Sequence, residues 1–314
     1  MDILLLTELK DEQRKMIQLL PDITIYDRNT ITHEKYASIQ VILGWNTIAN
    51  QILAGPNCVG FIQTVSAGVD ALPLKQLAFE KVLVANTSGI HAESLTESTI
   101  GMILAFTRGL FPMGPKPFRE WKPDAKRKQM GNISDQTVLI FGTGHIGSHL
   151  ASRLKQFDAK VLGISRHGET KEEFDRVGCM NQVSAFVKQA DIIVNVLPLT
   201  RETYHYFDNE FFSLTEQQPL FVNVGRGESV DQVELIRALK SGRISGAALD
   251  VVDPEPLPND DPLWKLPNVL ITPHIAGSVP HFRDSLFNIF YPNLKQYVLH
   301  GSIVKNQVDL TRGY

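Results

Sequence analysis

Three apolar runs of this 314-residue protein end in charged side chains. Residues 221–227 read FVNVGRG and carry Arg226, residues 248–256 read ALDVVDPEP and carry Glu255, and residues 271–277 read ITPHIAG and carry His274. Each run has the composition of a buried strand. In parallel α/β folds ligands bind beyond the carboxyl ends of the strands, so the three side chains are expected to face one cleft. An imidazole there can give and take a proton near neutral pH. A carboxylate beside it favours the imidazolium form. A guanidinium grips a carboxylate and polarises a carbonyl. Reduction of a 2-keto acid by a hydride donor needs those three services. Taken singly, Arg226 is a charge at a helix entry, Glu255 a loop acid between prolines and His274 a capping histidine. The combination, downstream of a cofactor loop, makes a catalytic site.

The cofactor loop lies at residues 137–147, TVLIFGTGHIG. An apolar strand runs straight into Gly142, Gly144 and Gly147, and a helix opens at His145 and Ile146. Gly142 permits the tight turn, Gly144 lets a pyrophosphate approach the backbone, and Gly147 lets the helix pack closely on the sheet. The helix N-terminus then offers N–H groups and the positive end of its dipole to the phosphates. GxGxxG alone is a weak pattern, but a strand before it and a helix after it make it a dinucleotide site. An NAD enzyme usually places an acid at the end of the next strand, to accept from the ribose 2′-OH. Here that strand ends Gly163-Ile164-Ser165-Arg166-His167, with no acid from 161 to 168. Arg166 can pair with a 2′-phosphate and Ser165 can donate to it, so NADP is expected in preference to NAD. The alternative is that Arg166 is an ordinary surface arginine and both cofactors are used.

The elements that must position these residues alternate along the sequence. Short apolar runs at 2–7, 23–26, 41–43, 61–64 and 82–85 form a first strand series, and 137–141, 161–165, 192–197, 220–224, 244–250 and 269–272 a second. Helical spacing is found at 8–20, 71–79, 95–110 (with Ser94 or Thr96 as caps), 145–157, 183–189, 233–241 and 282–299. Pro292 within the last of these predicts a kink or break. Strand–helix alternation predicts two α/β domains with parallel sheets covered on both faces. Between 111 and 128, Pro112, Pro115, Pro117 and Pro123 forbid a continuous helix and predict an irregular arm.

Composition narrows the partners. The protein is 43% hydrophobic and 21% charged, with 31 basic and 34 acidic side chains and a net charge of −3. That balance disfavours nucleic acid as a partner. Cys58 and Cys179 stand alone, which argues against a disulfide framework or a thiolate metal cluster. The nine His are scattered with no HExxH, so no metal is expected. The apolar run at 3–6 is too short for a secretory signal, and no run approaches the roughly 18 residues of a membrane span. A cytoplasmic protein is expected.

GTGHIG, VLPLTRET (196–203), NVGRG, ALDVVDPEPLP, DPLW (261–264) and ITPHIAG occur in the order of a known family. The sequence resembles the NAD(P)-dependent D-isomer-specific 2-hydroxyacid dehydrogenases over nearly its whole length, most strongly between about 97 and 277. Ser165-Arg166, the Trp-Lys-Pro at 121–123 and the terminal VDLTRGY resemble the glyoxylate/hydroxypyruvate reductase branch. The resemblance implies two Rossmann-like parallel-sheet domains with a cleft between them. One is a flavodoxin-like substrate domain of residues 1–97 and 280–314; the other is a dinucleotide-binding domain of residues 98–279. It carries over Arg226, Glu255 and His274 as catalytic residues. It implies that Ser66, Ala67 and Gly68 hold the substrate carboxylate through backbone N–H groups, and that Leu197, Pro198, Thr203, Val224, Gly225, Asp250 and Gly277 contact the cofactor. Trp45, after the strand at 41–43, can reach the pocket, and in the resembling branch an aromatic at the position of Trp121 reaches the partner subunit's site; the alternative for both is plain packing or a dimer contact. A homodimer through the dinucleotide-binding domains is implied. One departure is Gly225 where many members have Ala before the arginine. Ending at 314, the sequence leaves no room for the extra regulatory domain common in phosphoglycerate dehydrogenases, which lowers that expectation.

The expected activity is transfer of a hydride from NADPH to a small 2-keto acid such as glyoxylate or hydroxypyruvate, giving the D-2-hydroxy acid. Two alternatives stay open: an NADH-dependent dehydrogenase of D-lactate or of branched D-2-hydroxy acids, and a cofactor-sensing protein like the family's corepressors.

Overall fold

The computed structural model describes residues 1–111 and 130–312. The expected arm and Trp121 therefore lie largely outside the described residues. The protein folds as two compact units, Met1–His91 with Val279–Tyr314, and Ala92–Ser278. Among the described residues, no helix is long and apolar enough to cross a membrane.

In the first unit, β1 (Asp2–Leu5), α1 (Asp11–Gln18), β2 (Thr24–Asp27), β3 (Ile39–Leu43), α2 (Thr47–Ala54), β4 (Phe61–Gln63), α3 (Leu74–Phe79) and β5 (Leu83–Ala85) follow in order. The strands form one parallel sheet, β2-β1-β3-β4-β5. This is the flavodoxin-like order. Alternate residues serve opposite faces. Leu4 and Ile42 pack with Ala49, Ile52 and Leu53 of α2, whereas Ile3, Leu5, Val41 and Leu43 pack on the other side. A sheet covered on both faces favours apolar residues on both sides of each strand, which is why the central strands read as mostly apolar runs, with polar residues such as Gln40 and Gln63 as exceptions.

The second unit runs α4 (Ala92–Thr107), β6 (Thr137–Phe141), α5 (His145–Lys155), β7 (Lys160–Ser165), β8 (Arg176–Cys179), α6 (Val183–Val187), β9 (Ile192–Asn195), α7 (Asn209–Ser213), β10 (Leu220–Asn223), α8 (Gln232–Lys240), β11 (Gly246–Leu249) and β12 (Val269–Ile271). Its parallel sheet has the order β12-β11-β10-β9-β6-β7-β8. The sheet grows outward in both directions from β6, so the crevice between the ends of β6 and β9 is the switch point where such sheets bind ligands. Val138, Ile140, Val194 and Val222 pack with Leu150 and Leu154 of α5. Leu139, Phe141, Ile193 and Phe221 pack with Leu235 and Leu239 of α8. Ser94 and Thr96, expected as caps, lie inside α4, and Thr96 Oγ1 is hydrogen-bonded to His149 Nδ1 at 2.9 Å. The edge strand β8 is absent from the sequence-based expectation. Its residues RVGC are short, mixed in polarity and without a periodic pattern.

The backbone returns to the first unit as α9 (Phe282–His300), one helix that runs through Pro292 without the expected break. Proline leaves the carbonyl four residues earlier without its helical donor. Here that carbonyl, on Asn288, accepts from Lys305 Nζ at 3.1 Å. Leu286, Phe287, Phe290 and Leu294 are buried on the sheet and hold the helix in place.

Candidate active site

The glycine loop closes β6 and opens α5. Gly142 has φ +102°, a conformation that side chains rarely adopt. A Cβ on Gly147 would lie 1.8 Å from the Gly142 carbonyl oxygen, so helix and loop are in backbone contact there. At Gly144, which caps α5, a Cβ would meet nothing within 4 Å. The position is open, and the helix has no side-chain cap. A bare backbone at an uncapped helix N-terminus suits a pyrophosphate, and His145 and Ile146 supply the first helical N–H groups. The residues present fit a dinucleotide.

Across the switch point, β9 leads into Leu197, Pro198 and a tight turn. Thr203 is buried; its Oγ1 donates to the Pro198 carbonyl at 2.7 Å and accepts from the Thr200 N–H at 2.7 Å. At the end of β7, Ser165 Oγ accepts from the Gly168 N–H at 3.1 Å. The Arg166 guanidinium forms an ion pair with Glu202 of that turn.

His274 and Glu255 are brought into direct contact. His274 Nδ1 lies 2.7 Å from Glu255 Oε2. Glu255 Oε1 accepts from the Val252 N–H at 3.2 Å. The carboxylate thus holds one ring nitrogen and sets the orientation of the other, Nε2. The His274 side chain is 54% exposed, so the ring can be reached by a substrate. His274 has φ +53°, a left-handed conformation uncommon for residues with side chains. Its surroundings hold it there. The His274 N–H donates to the Asp250 carbonyl at 2.8 Å. The buried Asp250 carboxylate accepts from Thr272 Oγ1 (2.6 Å), Ile275 N (2.9 Å) and Ala276 N (3.0 Å). The loop that carries His274 and Gly277 is therefore wrapped around one buried, fully engaged acid.

Arg226 is half-buried just past β10, and its Nη1 donates to the Gly225 carbonyl at 2.9 Å. A Cβ on Gly227 would sit 1.9 Å from the Val252 carbonyl oxygen, so the arginine loop abuts the segment that leads to Glu255. Beneath it lies a network that the motifs did not reveal. Asn195, Asn223 and Ser229 are buried. Asn195 Nδ2 donates to Asn223 Oδ1 (2.9 Å) and Ser229 Oγ (2.8 Å). Asn195 Oδ1 accepts from the Leu197 N–H (3.0 Å), and Asn223 Oδ1 from the Gly225 N–H (3.1 Å), next to Val224. Asn223 Nδ2 (3.0 Å) and Ser229 Oγ (2.6 Å) both donate to the Arg226 carbonyl. The network ties the cofactor-side loop after β9 to the arginine loop after β10. The sequence does carry a signal for it: IIVN and LFVN each end an apolar strand in asparagine.

Trp45, Ser66, Ala67 and Gly68 belong to the other unit. Trp45 is half-buried after β3 and packs on that unit's core. Ser66, Ala67 and Gly68 follow β4. Ser66 Oγ donates to the Gly68 carbonyl at 2.7 Å, and Asn86 Nδ2 to the Ala67 carbonyl at 2.9 Å. The loop is thereby held to the segment after β5.

Residues 100–276 match the family described as D-isomer specific 2-hydroxyacid dehydrogenase, NAD binding domain. Glyoxylate/hydroxypyruvate reductase B of Citrobacter koseri is 32% identical over 282 residues, 88% of this chain and 86% of that protein. The crystal structure of phosphoglycerate dehydrogenase from Lactobacillus plantarum is 40% identical with a TM-score of 0.59, covering 98% of this chain and 100% of that one. That of D-isomer specific 2-hydroxyacid dehydrogenase from Xanthobacter autotrophicus Py2, in complex with NADPH and MES, is 26% identical with a TM-score of 0.81, covering 100% and 99%.

Proposed function

This chain belongs to the D-isomer specific 2-hydroxyacid dehydrogenase family, an NAD(P)-dependent enzyme family, and on that footing we propose that it reduces small 2-keto acids such as glyoxylate or hydroxypyruvate with a preference for NADPH. It acts in the cytoplasm as a homodimer joined through the dinucleotide-binding unit. The observation that carries the catalytic part is the His274–Glu255 contact, 2.7 Å long, on a loop built around Asp250. When bound, the nicotinamide cofactor supplies the hydride. His274 Nε2 delivers the proton to the carbonyl oxygen and takes it back in the reverse direction. Glu255 holds Nδ1 and steadies the charged ring. Arg226 grips the substrate carboxylate and polarises the carbonyl. The backbone of Ser66, Ala67 and Gly68 supplies further donors to the carboxylate, and Trp45 bounds the pocket.

The NADPH preference is supported by Ser165 and Arg166 at the end of β7, where no acid stands, and by the NADPH complex of the Xanthobacter protein. The double variant Ser165→Asp, Arg166→Ala is expected to reverse the preference in favour of NADH. Equal ratios of kcat/KM for the two cofactors before and after the change would defeat the 2′-phosphate role. Arg226→Lys is expected to raise KM for the keto acid about 10- to 100-fold, the worth of a charge-assisted hydrogen bond. An unchanged KM would remove Arg226 from the carboxylate.

The deciding experiment measures initial rates of NADPH and NADH oxidation with glyoxylate, hydroxypyruvate, pyruvate and 2-ketoisocaproate. NADPH with glyoxylate or hydroxypyruvate is expected to be fastest. Turnover with NADH and pyruvate or 2-ketoisocaproate alone would favour the dehydrogenase of D-lactate or of branched D-2-hydroxy acids. Cofactor binding with no turnover would favour a sensing role. The Lactobacillus plantarum structure supports a second reading, because it is matched over its whole length and size is therefore no argument against a phosphoglycerate dehydrogenase. Reduction of NAD by 3-phosphoglycerate tests it in the same assay. Light scattering is expected to give twice the protomer mass of 35.1 kDa; the single mass would refute the dimer.

A further inference from the structure

Arg166 does not stand alone at the end of β7. Its Nη2 pairs with Glu202 Oε2, which comes from the turn after β9, beyond the switch strand β6. The backbone beneath Glu202 is closely held. Thr203 Oγ1 bonds both the Pro198 carbonyl and the Thr200 N–H at 2.7 Å. The Tyr204 N–H donates to the Thr200 carbonyl at 3.0 Å. The turn therefore fixes the backbone from which the Glu202 side chain extends. On the opposite side, the Ser165 hydroxyl bonds the Gly168 N–H, and Gly168 turns with φ +70°. Both ends of the pair thus stand on well-built turns.

We propose that Glu202 is a specificity-determining residue: its carboxylate competes with the cofactor's 2′-phosphate for the guanidinium of Arg166 and so limits the preference for NADPH over NADH. This rests on the reading of Arg166 as the 2′-phosphate ligand. The side chains of Arg166 and Glu202 are 46% and 72% exposed, so the pair is well solvated and weak. A phosphate of nearly two charges, with three acceptor oxygens, can displace a carboxylate from such a pair. The displaced carboxylate, tethered by its turn, then stays near the phosphate and repels it. A cofactor with a 2′-hydroxyl makes no such demand, because Arg166 can keep its partner. The acid that an NAD enzyme places at the end of this strand is thus brought in from the turn after β9, where it moderates the arginine.

The test is calorimetric titration of the protein with NADPH, NADH, 2′,5′-ADP and 5′-AMP, which needs no turnover. Glu202→Gln keeps the size and loses the charge. It is expected to tighten NADPH and 2′,5′-ADP about fivefold, the upper worth of an exposed ion pair. 5′-AMP, which lacks the 2′-phosphate, is expected to bind as before, and the gain should shrink at high salt. Arg166→Ala is expected to weaken NADPH and to abolish the effect of Glu202→Gln in the double variant. If Arg166→Ala weakens NADPH while Glu202→Gln leaves it unchanged, or tightens 5′-AMP equally, the role of Glu202 is overturned and that of Arg166 stands. If Arg166→Ala leaves NADPH binding unchanged, the 2′-phosphate reading fails and this proposal fails with it.

Discussion

His274→Ala is expected to lower kcat about 10²- to 10⁴-fold, the usual worth of a general acid, while NADPH binds as in the parent. The separation follows from where the ring sits. Its contacts run to Glu255 through the side chain and to Asp250 through the backbone, both in the segment after β11, whereas the glycine loop follows β6. Removing the ring leaves the Asp250 carboxylate engaged by Thr272, Ile275 and Ala276, so the loop keeps its shape. Alanine at φ +53° adds little strain beyond that already carried by histidine. Glu255→Gln is expected to act through the same ring and to cost less, because an amide still reaches Nδ1 but no longer offsets the charge that develops on it. Steady-state kinetics with a parallel NADPH titration checks both. A His274→Ala protein with parental turnover would remove the histidine from the chemistry. Loss of NADPH binding with turnover would assign it to the cofactor site instead.

Two alanines in one loop are expected to fail in different ways. In Gly147→Ala the new Cβ meets the carbonyl oxygen of Gly142 at 1.8 Å and its carbon at 2.9 Å. These are backbone atoms, so the helix must move off the strand. Overpacking of this kind costs about 1–3 kcal/mol, which for a unit of this size lowers Tm by about 3–10 °C, and the displaced loop should also lose cofactor. In Gly144→Ala the Cβ meets nothing, and φ −75° is open to any residue. The fold should therefore keep its Tm. The methyl group would nonetheless stand where the pyrophosphate must approach, and NADPH affinity is expected to fall at least about tenfold, through lost contacts to the helix N-terminus. Thermal melts with and without NADPH separate the two outcomes. A Gly144→Ala protein that binds NADPH as tightly as the parent would show that the phosphates lie elsewhere. A Gly147→Ala protein with unchanged Tm would show that helix and loop are not in backbone contact.

Much of this protein is determined by its sequence alone. Runs rich in apolar residues separated by helical stretches specify two parallel sheets covered on both faces, because a strand buried on both sides favours apolar residues on both faces. The glycines at 142, 144 and 147 announce a dinucleotide loop, because each is demanded by a different local constraint: a positive φ, an open approach and a close packing. The contact of His274 with Glu255 is legible as well, since strand ends in such sheets gather on one side.

Other features are decided only by the tertiary structure. Pro292 predicts a break by a local rule, yet α9 runs on, with Leu286, Phe287, Phe290 and Leu294 buried on the sheet and the Asn288 carbonyl accepting from Lys305 of the segment that follows. Asn195 and Asn223 look like ordinary strand ends until the sheet brings β9 and β10 side by side. Asp250 organises the His274 loop through bonds that exist only once β11 and β12 pair. Arg166 reads as a lone cation, and its pairing with Glu202 emerges only when the turn after β9 comes within reach of β7. Periodicity and glycine spacing are properties of neighbours along the sequence. Hydrogen-bond partners and charge pairs depend on distances set by the packed sheet, and the choice among many possible polar partners is made there.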